Sequence, residues 1–196
     1  MGYKIESLIS PESIMCLQKL RNSICTLWID DLGDTKLING NQYTMGLILR
    51  VTNKSTDYMI KDKPEIKEDG EETTNLKVFQ SNTKDIKDNI WVNLLESKSI
   101  KSLYIITDHL IWSNMENSWD LKVDIGLKLI FDENYSLILM AKHSSVGLFE
   151  IWISNNLNKL DKTIIQASNN EVLEFWGVEP SIENFNTVKR IEKKIF

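Results

Sequence analysis

Apolar residues in this chain begin at helical spacing, pass through a long stretch of alternation, and return to helical spacing near the end. At the start, Ser10 can cap a helix, Pro11 suits its first turn and Glu12 suits the positive end of its dipole. Ile14, Leu17 and Leu20 then form one stripe, so the pattern predicts a helix over about 11–22. Ile24–Ile29 and Tyr43–Thr52 read as strands joined by a long connection, which Asp30-Asp31-Leu32-Gly33-Asp34 opens. Leu76–Gln80 reads as another strand. Residues 85–96 carry two signals: Ile86, Ile90 and Leu94 are spaced for a helix, while Trp91 and Val92 favour a strand. The helical spacing is the reading adopted.

From Ile100 to Ile153 the β-signal dominates. Val123, Ile125, Leu127 and Leu129 alternate with Asp124, Gly126 and Lys128, as in an antiparallel sheet buried on one face. Leu103–Ile106, Tyr135–Ala141 and Leu148–Ile153 supply its neighbours, and Asp132-Glu133-Asn134 turns one strand into the next as a hairpin. Thr163–Ala167 and Val172–Trp176 read as short strands. At the C-terminal end Ser181 follows Pro180 as a cap, and Ile182, Phe185, Val188 and Ile191 to Ile195 keep one helical face apolar. The expected fold class is therefore α+β: a mainly antiparallel sheet of meanders and hairpins, flanked by an N-terminal and a C-terminal helix, in a single domain over residues 1–196. Met45–Val51 also resembles Ile125–Phe131. If that similarity reflects a duplication, Gly46 and Gly126 stand at equivalent places where a strand bends or another backbone approaches.

Composition narrows the class. With 42% hydrophobic and 26% charged residues the chain is that of a folded domain, and 196 residues bury roughly 70% of their unfolded surface without help from disulfides or a metal. Two thiols, Cys16 and Cys25, make no disulfide framework and point to a reducing cytosol. No apolar run approaches the length of a signal peptide core or a membrane span, so the expected location is cytoplasmic and no membrane partner is expected. Lys outnumbers Arg 20 to 3, and Ile and Asn are abundant, the codon usage of an AT-rich bacterial or phage genome.

The net charge of −5 excludes nucleic acid as the expected partner. Most of that charge sits at 57–75. There Asp57, Asp62, Glu65, Glu68, Asp69, Glu71 and Glu72 face only Lys61, Lys63 and Lys67, which reads as a flexible acidic loop.

Candidate chemistry is sparse. The eight glycines are too scattered to cradle a phosphate, and no Gly-x-Ser-x-Gly elbow is present. Cys16, Cys25, His109 and His143 lack the spacing of a zinc site, so neither a metal nor any other cofactor is expected. Asp108-His109, an acid–imidazole doublet at a strand end, and His143 beside two serines are the polar groups a ligand pocket would use. The connection Ile111–Trp119 is richer in contact chemistry: Trp112, Met115 and Trp119 lie in a polar, turn-forming stretch, and interfaces concentrate their energy in such side chains.

The expected function is that of a small acidic bacterial protein acting by protein–protein binding, of the kind an immunity or inhibitor protein uses against a basic toxin or nuclease, and not that of an enzyme. Its contact residues are Glu68, Asp69, Glu71, Glu72, Trp112, Met115 and Trp119, with acidic groups steering the encounter. The alternatives are a small-molecule module or enzyme with an apolar pocket near Asp108, His109 and His143, and a structural subunit of a larger assembly, which an exposed apolar strand edge would favour.

Overall fold

One strand, β10 (Trp91–Ser113), organises the chain. In the computed structural model, which describes residues 1–30, 35–38, 40–67, 72–81, 91–142, 146–177 and 184–196, it pairs along its later half with β11 (Ser118–Phe131) as a long antiparallel hairpin. Its other edge is shared by two strands placed end to end. Residues 91–99 pair with β2 (Ile24–Asp30) and residues 104–113 with β14 (Asn184–Lys194).

The sheet grows from both sides of that hairpin. Beyond β11 come β12 (Ser136–Ala141), β13 (Phe149–Ser154), β4 (Asn41–Gly46) and β3 (Lys36–Ile38). Beyond β2 come β5 (Ile48–Asn53), β6 (Thr56–Asp62) and β9 (Leu76–Ser81), and β1 (Gly2–Ser7) adds in parallel to the tip end of β11, giving twelve strands. A separate two-stranded ribbon joins β7 (Glu65–Ile66) to β8 (Glu72–Thr73). Among the described residues strand predominates, and the helices are three short ones: α1 (Pro11–Gln18), α2 (Leu157–Ile164) and α3 (Asn169–Phe175).

An α+β domain flanked by terminal helices is therefore not what forms. The C-terminal segment expected as a helix is β14. Phe185 and Val188 share a face at helical spacing only because a register shift between Ile111 and Trp112 accommodates the extra residue Asn186. Ten registered positions against β10 outweigh the local helical pattern. The reverse error occurs at 163–167 and 172–176, expected as strands: 163–164 end α2, 165–167 lie in the turn and link after it, and 172–175 lie in α3. Ser168 caps α3 by accepting from the Glu171 amide, while the Glu171 carboxylate accepts from the Ser168 amide, a capping box. Residues 91–96 are strand, not helix. The N-terminal helix forms as expected but stops at Gln18, with the Ser10 hydroxyl accepting from the Ser13 amide.

The segment 43–52 is two strands, and the break between them curls the sheet. β4 belongs to one end of the strand order and β5 to the other, yet only Leu47 separates them. One oxygen of the buried Asp30 carboxylate accepts the Leu47 and Ile48 amides at 2.9 and 2.7 Å and fastens this corner. Gly46 is required there, because a Cβ would stand 2.9 Å from the Asp30 carbonyl oxygen and overlap Ile29. Gly126 is crowded too, beside Met140 and the Leu139 carbonyl, and the adjacent register shift at Ile106 and Thr107 leaves Ile125 unpaired.

That bulge changes which face each β11 residue serves. Inside the curl, Leu27, Ile29, Leu49, Val51, Leu103, Ile105, Leu127, Leu129, Leu137 and Ile151 pack with Leu17 and Leu20. On the outer face, Ile106, Leu110, Leu121, Val123, Ile138 and Met140 pack with Leu160, Ile164, Val172 and Leu173 of α2 and α3. The central strands are consequently buried on both faces, with every residue of β12 covered, rather than half-buried as the alternation suggests.

Residues 57–62 of the expected acidic loop are strand β6, paired on both sides. Asp57 is buried, bound to Arg50 at 2.9 Å and to the Thr52 hydroxyl at 2.7 Å, and buried Asp62 accepts the Asn75 amide at 2.6 Å. Glu65 accepts from Lys67 and Asn75. Much of the sequence's acidic cluster is spent on internal bonds.

Burial holds the Asp30 carboxyl above its ordinary 3.8, the two amide hydrogen bonds only partly offsetting this. As pH rises through the window between 3.8 and the folded value, the unfolded chain releases a proton that the folded chain retains, so this group's contribution to stability falls. Asp30→Asn keeps an acceptor for both amides, and denaturant titrations should show it at least as stable as wild type at neutral pH. Asp30→Ala strands two buried amides and should lose about 2 kcal/mol or more. Subtracting the Asn variant's stability from wild type's across pH 3–7 should reveal the falling limb.

Candidate functional site

The outer face of the tip end, where β1, β11, β10 and β14 lie side by side, carries a row of aromatic side chains. Register places Tyr3 beside Trp119, Trp119 opposite Trp112, and Trp112 opposite Phe185. Their rings form one continuous stack across four strands, with centroids 5.9, 5.3 and 6.4 Å apart and interplanar angles of 24°, 7° and 28°. Each such pair adds about 0.5–1.5 kcal/mol beyond its buried area, so the row stiffens the strand ends. All four rings are half-buried.

Beyond the row the hairpin turns through Asn114-Met115-Glu116-Asn117. The Asn114 side-chain oxygen accepts the Glu116 and Asn117 amides at 3.0 and 2.8 Å, and the Asn114 amide donates to the Asn117 carbonyl at 2.9 Å. Met1 closes the other flank: its amino group donates to the Glu116 carbonyl at 2.6 Å and its carbonyl accepts from Ser118 at 2.9 Å. Held in this turn, Met115 is fully exposed. Trp112 and Trp119, grouped with it by sequence, instead support it from below.

Two rows further from the tip, past Leu110, Leu121 and Val188, the chemistry becomes ionic. Asp108 is wholly buried, and Arg190 grips it with Nε to Oδ1 at 2.8 Å and a terminal nitrogen to Oδ2 at 2.9 Å, while Trp176 Nε1 donates to Oδ2 at 3.0 Å. Arg190 also donates to the Ile164 carbonyl at 3.2 Å and lies over the Phe175 ring, so one guanidinium joins β10 to both α2 and α3. Lys128 makes a second junction, bonded to Asp161 of α2 at 2.7 Å and Glu192 of β14 at 3.0 Å. Burial opposes its charge, but these two carboxylates outweigh the burial and hold its ammonium above the ordinary value.

Asp108 and His109 do not converge. As neighbours on an extended strand they point to opposite faces. His109 Nε2 meets Asp120 at 2.9 Å on the solvent-facing side, flanked in register by Lys122 and Lys189. His143, the third residue of the pocket reading, lies outside the described residues, as do Glu68, Asp69 and Glu71 of the acidic group; Glu72 is half-buried in β8. An open groove of about 590 Å³ exists at the far end of the sheet, lined by Asn22, Ser23, Thr26, Thr52, Asn53 and Lys54 among others, and neither Asp108 nor His109 borders it. Cys25 is buried, which pushes its thiol up to about 11 and removes it as a nucleophile, and half-buried Cys16 is also free. Among the described residues no three His, Cys, Asp or Glu side chains gather as metal ligands do, and no helix is long and apolar enough to cross a membrane.

Sequence reasoning missed Arg190 and Lys128 as partners because each seemed to lie on a solvated face. The signal was available for α3 alone, in Ser168-Asn169-Asn170-Glu171.

The ionic row sets a stability test. Asp108→Asn leaves the Arg190 charge buried against a neutral partner and should cost about 3–5 kcal/mol by chemical denaturation. Replacing both partners, Asp108→Leu with Arg190→Met, should recover a large part of that loss.

No protein-family model, curated protein or solved structure matches the chain, so the functional reading rests on this geometry.

Proposed function

We propose that the protein acts by binding another protein, with the tip of the β10–β11 hairpin as its contact surface. The observation that carries this reading is Met115: a flexible, polarisable apolar side chain fully in solvent, on a turn fixed by Asn114 and Met1 and braced by the stacked rings beneath it. Interfaces draw most of their energy from a few apolar anchors whose ordering cost is already met, and methionine adapts to irregular partner surfaces. Aromatic edges at Trp112 and Trp119 widen the apolar area around it.

The finer reading, an inhibitor steered onto a cationic toxin or nuclease, draws on the acidic residues of 57–75. Asp57, Asp62 and Glu65 are engaged internally and Glu72 is half-buried in β8, so the apolar tip takes over as the main support for binding.

A photoreactive amino acid placed at position 115 in the native cell should yield a discrete crosslinked adduct, and the same group at Lys54, at the other end of the sheet, should not. Met115→Lys should abolish binding of the partner so identified while leaving the unfolding midpoint unchanged, because the side chain buries nothing in the free protein. Equal adducts at 54 and 115, or binding that survives Met115→Lys but fails with Glu72→Lys and in high salt, would move the contact away from the tip.

A further inference from the structure

Strand β14 is an edge. Its inner side is registered to β10 from Asn184 to Lys194, and among the described residues nothing pairs with its outer side. At eleven residues it is much longer than the other strands that end the sheet, β1, β3 and β9, and its second half is open: Lys189 and Ile191–Lys194 are exposed. A free row of backbone donors and acceptors of this length is a template for another strand.

Which strand it suits follows from the charges left over. Arg190 is neutralised by Asp108, and Glu192 is bound to Lys128. Neither counts toward a partner. Lys189, Lys193 and Lys194 remain; Lys194 lies over the Tyr104 ring, while Lys189 and Lys193 share the opposite face of the strand, with Ile191 exposed between them. In register, Lys189 stands beside His109, which carries Asp120 on its ring and stands beside Lys122. An acidic protein thus carries a locally basic edge.

Self-pairing fits poorly. Two copies of β14 set antiparallel about Ile191 would place Lys189 opposite Lys193 twice, and like charges directly opposite destabilise a ladder. An acidic segment meets the same positions favourably.

We infer that β14 receives an extended acidic segment of another protein as an additional strand, read by the alternation acidic, x, apolar, x, acidic against Lys189, Ile191 and Lys193. Main-chain hydrogen bonds would supply affinity and the alternate side chains the selectivity. The inference goes beyond the hairpin-tip reading and stands on a different element, so either can fail alone.

The test uses the full chain and a fluorescein-labelled, end-capped peptide of Thr-Glu-Thr-Val-Thr-Glu-Thr, followed by anisotropy at low salt. Binding is expected, with new amide hydrogen-exchange protection confined to β14. Lys189→Glu with Lys193→Glu, both exposed and away from the core, should weaken it by about tenfold or more and create affinity for the matching lysine peptide. N-methylation of alternate peptide amides should abolish it. No binding at millimolar peptide would overturn the inference and leave the lysines as a guard against aggregation. Undiminished binding of the N-methylated peptide, or of heparin in its place with no protection at β14, would reduce it to charge attraction. Concentration-dependent dimerisation lost in the double variant would replace the acidic segment by a second copy.

Discussion

A strand of twenty-three residues laid straight would reach about 75 Å, whereas a globular chain of this length has a radius of gyration of about 16 Å. β10 must therefore bend, and nearly everything else in the fold follows from how it does so. Its ladders shift register at Asn93/Leu95, Leu95/Lys98, Ile100/Ser102, Ile106/Thr107 and Ile111/Trp112. At one of these, Ser97 takes the left-handed backbone conformation at φ 48°, a conformation uncommon outside glycine. The bends let one edge serve β2 and then β14, and they turn the sheet back far enough for β4 and β5 to meet at Leu47. The enclosed core inside the curl is a consequence of irregular strands; regular ones would have produced a flatter sheet with more exposed edge.

The same bending explains why the two faces are closed by different chemistry. Inside the curl, strands face strands and aliphatic side chains suffice. Outside, two helices of eight and seven residues must cover a curved surface, and helices this short contribute little stability of their own. Their attachment depends on the buried ion pairs at Asp108 and Lys128, which fix position more than they add net stability, since each charge gives up its hydration. Past the helices, the stacked row of Tyr3, Trp119, Trp112 and Phe185 finishes the face without a covering layer. It is this change, from covered to uncovered, that leaves the tip and Met115 open to solvent.

What the sequence made legible were elements whose signals are local. Ser10 and Pro11 mark α1, Asp132-Glu133-Asn134 marks the β11–β12 turn, and the strands through 100–153 follow from their β-branched and aromatic residues. What it concealed were features set by distant partners. Phe185 and Val188 imitate a helix because a bulge is invisible without its opposing strand, and the alternation in β11 suggests one wet face because the helices that cover it lie thirty residues on. The site divided in the same way. Trp112, Met115 and Trp119 were identifiable as a group from their turn-rich setting, but three equal candidates became one exposed anchor and two supports only once register stacked the rings. Asp108 looked like half of a catalytic doublet with His109. Strand geometry separates the two, and Arg190, eighty-two residues away, claims the carboxylate.

Net charge proved a poor guide to surface for a related reason. A formal −5 counts every carboxylate equally, yet a carboxylate that grips a buried arginine is neutralised by it, and one buried against amides offers an approaching molecule no oxygen to contact. Asp30, Asp57, Asp62, Asp108 and Asp124 are all buried, and each accepts hydrogen bonds from the fold itself: Asp124, for example, takes the Ile9 amide at 2.8 Å and the Thr107 hydroxyl at 2.6 Å. Lysine rarely serves this way, because its long stem and strongly hydrated head favour the surface, and Lys128 is the exception only by virtue of two partners. In a chain whose cations are nearly all lysine, folding withdraws acid from the surface and leaves base behind. At β14 Glu192 is turned to Lys128 while Lys189 and Lys193 are exposed, so the acid of that strand is engaged by the fold and its lysines face outward.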